Sequence, residues 1–123
     1  MTDAEVRAAH RDNLAILMIV DPAKIDDLAV DIQIENIRRA RFRSGDIPTS
    51  DVLLHALPSV RARIAGLGGA RDAFSGSNLT AYRRILARFQ PDLDFRVIKG
   101  AGHWTPYEAH EAVDAMTLDI LDA

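Results

Sequence analysis

The second half of the chain contains a strand, a helix and a second strand in immediate succession. RARIAGLGG (residues 61–69) is a short strand-like stretch that ends in glycines, and a capped helical segment follows from about Ser77 to Phe89. LDFRVIKG (residues 93–100) alternates as strands do. This order predicts a βαβ unit with two parallel strands and a right-handed crossover. Because two parallel strands make no stable sheet alone, we expect this unit to pack against further strands that this chain does not contain.

The N-terminal segment has the pattern of a helix. Thr2 and Glu5 have the spacing of a capping box, and apolar residues at helical spacing predict a helix over residues 3–18. Its end, LAILMIV, is equally compatible with a buried strand.

Two more helices are predicted before the first strand. Asp21 and Pro22 form an N-cap with proline at the first helical position, and this helix should continue to about Arg41. It carries two apolar stripes, so one side can pack on a core while the other faces a pocket. A shorter helix, DVLLHAL, should end at Pro58. A final amphipathic helix is predicted after the second strand, on apolar residues from Ala109 to Ile120.

Composition limits the classes of protein to which the chain can belong. It has 123 residues, of which 48% are hydrophobic and 27% charged, as in ordinary globular domains. The net charge of -3 is too small to favour nucleic acid or anionic lipid as a partner. There is no cysteine and the histidines lack metal-ligand spacing, so we expect no metal. No apolar run approaches the length of a membrane span, so we expect no membrane partner and, by default, a cytoplasmic location.

An acid and a histidine follow the two predicted strands. Gly69-Ala70-Arg71-Asp72 comes after the first strand, and Gly100-Ala101-Gly102-His103-Trp104 comes after the second. Loops at the carboxyl ends of parallel strands are where α/β proteins place their sites. We therefore expect the side chains of Asp72 and His103 to lie within hydrogen-bonding distance of each other.

These two turns resemble the α/β-hydrolase family, in which the acid lies in a G-x-x-D turn and the histidine in a G-H turn after the final strand. The tail GHWTPYEAHEAVDAM carries the most specific likeness, with an aromatic after the histidine and a glutamate five residues on. The resemblance implies an α/β class with a partial α/β-hydrolase fold. Residues 1–58 would be a helical lid, and residues 59–123 the C-terminal βαβα part of the core.

The resemblance also implies roles for four residues. His103 would be the general base, Asp72 would hold its tautomer and stabilise the imidazolium, and Trp104 and Tyr107 would line the substrate pocket. The serine elbow G-x-S-x-G is missing from the sequence, because Ser75 and Ser77 lack the required glycine two residues earlier. The chain is also well short of a complete hydrolase of this family, which needs roughly twice its length.

Two functions from different classes follow from these patterns. The first is hydrolysis of a small apolar ester, or of a C–C or related bond, by a nucleophile–His–Asp triad whose nucleophile this chain lacks. Such a chain would be inactive alone and would need an upstream hydrolase half. The alternative is a non-catalytic binding or interaction module that forms a homo-oligomer.

Two other motifs have simpler explanations. In GLGGAR the third position of a dinucleotide fingerprint falls on Arg71, so the glycines indicate a tight turn and no cofactor is expected. The arginines at positions 38, 39, 41 and 43 lie at the predicted end of a helix, where cations are ordinary partners of the helix dipole.

Overall fold

A computed structural model describes residues 2–122 of the chain, except for the side chain of Ser77. The helices and strands of this part are, in chain order, α1 (Asp3–Leu17), α2 (Asp27–Arg39), α3 (Val52–Ala56), β1 (Ala65–Gly69), α4 (Leu79–Ala87), β2 (Asp94–Ile98), α5 (Thr105–Glu108) and α6 (His110–Asp122). Short 3₁₀ turns lie at Pro22–Lys24, Ile47–Thr49, Leu57–Ser59 and Gly76–Asn78. No helix in the described residues is long and apolar enough to cross a membrane.

The partial α/β-hydrolase fold expected from the sequence is wrong. Helix accounts for 58% of the chain, and the described residues contain only two short parallel strands, so this is a small, mostly helical domain. The strands are short because the strand signals are weak: three of the five residues of β1 are glycines, which have poor strand propensity.

The first helix confirms the predicted capping box. The Thr2 hydroxyl accepts a hydrogen bond from the Glu5 amide at 3.3 Å, and the Glu5 carboxylate accepts one from the Thr2 amide at 2.6 Å. This cap starts a helix that continues through Leu17, so the first part of LAILMIV is helical. The strand alternative for this run is thereby excluded.

The second helix begins later than the sequence predicted. Asp21 caps only the 3₁₀ turn Pro22–Lys24, and α2 begins at Asp27 because Asp26 provides a better cap, accepting a hydrogen bond from the Ala29 amide at 2.9 Å. The helix also ends at Arg39 rather than Arg41.

The two strands pair in parallel, as predicted, and α4 connects them. Their register runs from Ala65 opposite Asp94 to Gly69 opposite Ile98. Because parallel strands end at the same edge of a sheet, the turns after β1 and β2 lie side by side.

The main hydrophobic core lies beside this sheet. It consists of buried aliphatic side chains of α1, α2 and the segment between them: Leu14, Ile19, Ile25, Ala29 and Val30. The rings of Trp104, in the turn after β2, and Tyr107, in α5, pack against it. The core therefore joins the helical N-terminal half to the turn that carries His103.

A buried carboxylate makes the same connection with hydrogen bonds. Glu108 is only 7% exposed, and its Oε1 accepts hydrogen bonds from the amides of Val20 at 2.9 Å and Asp21 at 2.7 Å. Its Oε2 accepts one from the Gly102 amide at 2.7 Å. A Cβ at Gly102 would lie 2.7 Å from the Met18 carbonyl oxygen, so only glycine fits this contact.

We expect Glu108→Ala to destabilise the fold by about 3 kcal/mol, because it leaves one buried and two part-buried backbone N–H groups without an acceptor. Glu108→Gln should cost less, since its carbonyl oxygen can keep two of the three bonds. The measurement is chemical denaturation of both variants beside Glu111→Gln, a control at an exposed acid in α6. Equal stability of Glu108→Ala and the control would contradict the role of the carboxylate.

Candidate functional site

The turn after β1 is held directly against the turn after β2. The Ala70 amide donates to the Ile98 carbonyl at 2.9 Å, and the Arg71 amide donates to the Ala101 carbonyl at 2.9 Å. A Cβ at Gly69 would lie 2.4 Å from that same Ala101 oxygen. A larger residue at position 69 would therefore push the two turns apart. This close contact of backbones fixes the distance between the side chains that follow.

Asp72 is the acid of the site, and most of its side chain is buried. One carboxylate oxygen accepts hydrogen bonds from the amides of Phe74 at 2.8 Å and Ser75 at 3.3 Å, and the other accepts one from the Ser75 hydroxyl at 2.5 Å. Burial by itself raises the pKa of Asp72, but the hydrogen bonds from Ser75, His103 and the two amides outweigh it and lower the pKa to about 2. Asp72 is therefore ionised at neutral pH.

His103 lies next to this carboxylate. Its Nδ1 is 3.1 Å from both Asp72 oxygens. Because the acid is ionised and can only accept, Nδ1 is the donor in this contact, and in a neutral ring the lone pair then lies on Nε2. The imidazole is 42% exposed, against 13% for the Asp72 side chain, and the Phe74 ring meets it edge-on at 4.7 Å.

Trp104 and Tyr107, predicted to line a substrate pocket, border a shallow cleft of about 290 Å³ beside His103. Ile32, Asn36 and Pro106 complete its lining. The Tyr107 hydroxyl donates to Asp26 at 2.5 Å. Burial and the Asp26 carboxylate together raise the pKa of Tyr107 to about 12, so its ring is held neutral and fixed in place.

A second cleft reaches His103 from the side of the sheet. It has a volume of about 390 Å³, and its lining includes Asp72 together with apolar groups of β1, β2 and α4: Leu67, Leu79, Tyr82 and Phe95, with Phe74 at the rim. The imidazole thus lies between two clefts whose other linings are mainly apolar.

The sequence predictions missed the residues that fix Asp72. Ser75 was considered only as a nucleophile, yet its amide and hydroxyl both bind the Asp72 carboxylate. The spacing D-x-x-S is the available signal, since an Asp side chain commonly accepts from the amides two and three residues ahead. Glu108 was noted by its spacing from His103, but its bonds to residues 20 and 21 are distant in sequence and have no local signal.

Nothing in the described residues suggests a metal site, since no cluster of three His, Asp or Glu side chains occurs there. His55 is instead paired with Asp51 at 3.0 Å on the exposed surface of α3. It forms a second histidine–aspartate pair, although it borders neither of the two clefts that meet at His103.

Comparison with models of known protein families found no match, and a search of curated proteins also found none. The likeness of the two turns to the α/β-hydrolases therefore stays a prediction from the sequence.

The low pKa of Asp72 predicts how its contribution to stability changes with pH. A carboxyl whose pKa is lower in the folded chain than in the unfolded chain stabilises the fold above the unfolded pKa. We expect this stabilisation, on the order of 2 kcal/mol, to be lost as the pH falls from about 4 to about 2.

The measurement compares the free energy of unfolding of the wild type with that of Asp72→Asn across this pH range. The difference between them should shrink toward low pH, because other acids contribute equally to both chains. Asp92→Asn, at an exposed position, is the control. A difference that stays constant with pH would show that the folded state does not favour the ionised form of Asp72.

Proposed function

We propose that this chain supplies the histidine and the acid of a hydrolytic site that acts on a small apolar substrate. The observation that carries the proposal is the hydrogen bond from His103 Nδ1 to both oxygens of Asp72, which leaves a half-exposed imidazole between two clefts. In this arrangement the acid holds the ring tautomer and stabilises the imidazolium while Nε2 accepts a proton.

The site lacks a nucleophile, because the one serine hydroxyl described there, that of Ser75, is hydrogen-bonded to Asp72. Ser75 donates to Asp72 and so holds the acid in place rather than presenting its oxygen to His103. Acyl transfer needs a nucleophile beside the base and N–H donors that stabilise the oxyanion. We propose that an upstream hydrolase half, of the kind that the resemblance implies, provides them, and that these 123 residues alone are inactive.

The linings of the clefts favour an apolar substrate. The indole of Trp104 and the phenol of Tyr107 form one wall beside His103, while Phe74 and Phe95 lie on the other side. An ester, or a C–C bond next to a ketone, carries the carbonyl that such a site would attack. The cytoplasmic location expected from the sequence belongs to the same proposal.

The first test of the proposal is chemical modification of the histidines. An apolar chloromethyl ketone alkylates a neutral imidazole that lies beside an apolar cleft. We expect His103 to react at least about ten times faster than His55, which has its own aspartate partner but lies outside both clefts. Peptide mapping by mass spectrometry measures both rates in one sample, so His55 is an internal control. Equal rates at the two histidines would overturn the proposal.

Hydrolysis of an activated ester is the second test. Wild type, His103→Ala and His55→Ala should all be equally slow, since the loss of even one oxyanion donor costs on the order of a hundredfold in rate. If the wild type turned over robustly and only His103→Ala lost this activity, no upstream half would be needed. The dyad would then activate water by itself.

A further inference from the structure

We propose that the groove between α3 and α4 is a self-association surface that binds a second copy of this chain. The groove has a volume of about 500 Å³ and is lined chiefly by Val52, Leu53, Leu57, Tyr82, Ile85 and Leu86. It lies outside the cleft formed by Trp104 and Tyr107 and shares Tyr82 with the second cleft beside His103. The proposal does not depend on the hydrolytic function of His103.

The accessible surface of the chain is large for a folded monomer of its mass. A folded monomer of this size exposes roughly 6,500 Å², from the scaling of surface with mass. This chain exposes 8952 Å², an excess of about 2,400 Å². A standard interface removes about 800 Å² from each partner, and permanent homodimers remove more. The excess is therefore large enough for a stable dimer.

The shape of the groove favours a second copy as the occupant. Both Leu53 and Leu57 line the groove, but Leu53 is 67% exposed and Leu57 only 6%. We take the exposed Leu53 as an apolar ridge and the buried Leu57 as an apolar floor on the same molecule. A two-fold arrangement places each ridge on the floor of the other copy, which is how a self-complementary interface is built.

The charges beside the groove fit the same arrangement. Asp46 and Asp51 lie at the α3 side and are exposed, whereas α4 carries the exposed Arg83 and Arg84 and no acidic residue. A two-fold axis brings the α3 side of one copy to the α4 side of the other. The acids of each chain then face the arginines of its partner, which favours this pairing over one with the charges reversed.

The first experiment measures the mass of the purified chain by analytical ultracentrifugation over a range of concentrations. We expect a dimer whose dissociation constant rises at least about tenfold in Leu53→Asp, because a charge would be buried in the interface. Leu118→Asp, at an exposed leucine of α6, should leave the dimer unchanged. Far-UV circular dichroism checks that each variant is folded.

The second experiment uses the absence of cysteine from the chain, which makes any introduced thiol unique. A mixture of Leu53→Cys and Tyr82→Cys chains should form disulfide-linked pairs under mild oxidation, because residue 53 of one copy would lie over residue 82 of the other. A mixture of Leu118→Cys and Tyr82→Cys chains should not. A monomer at every concentration, a dimer that Leu53→Asp leaves intact, or equal linkage in both mixtures would each overturn the proposal.

Discussion

The carboxylate of Glu108 is the contact on which the rest of the structure depends. It accepts hydrogen bonds from three backbone amides, those of Val20 and Asp21 in the helical half and that of Gly102 in the turn after β2. Backbone N–H groups that are removed from water need hydrogen-bond acceptors, and the Glu108 side chain provides acceptors for three of them. The Trp104 amide completes the connection by donating to the Met18 carbonyl at 2.9 Å.

This contact explains how a small domain with few buried side chains holds a well-defined histidine. One side of the His103 turn is fixed by Glu108, and the other by the backbone hydrogen bonds between the turns after β1 and β2. Asp72 then needs only its own local bonds to Ser75 and Phe74 to point at the imidazole. The geometry of the dyad thus comes from backbone contacts, and these leave the imidazole partly exposed.

The local elements could be predicted from the sequence because their signals are local. The capping box of Thr2 and Glu5, and the strand–helix–strand order around α4, depend on residues close in the chain. The placement of Asp72 beside His103 also followed, since parallel strands bring their carboxyl ends to one edge. The fold class could not be predicted from the sequence in this way, because the proportion of helix to sheet depends on how long each strand becomes. The glycines of β1 allow only five residues.

The two histidine–aspartate pairs of this chain show why a motif alone does not define a site. His55 and Asp51 are as close as His103 and Asp72, yet they lie one turn apart on an exposed helix, where water screens the pair. Asp72 instead is largely buried, accepts further bonds that lower its pKa to about 2, and so stays ionised beside the ring. Burial of the acid and exposure of the histidine together distinguish the Asp72–His103 pair, as a candidate for proton transfer, from a pair on an exposed helix surface.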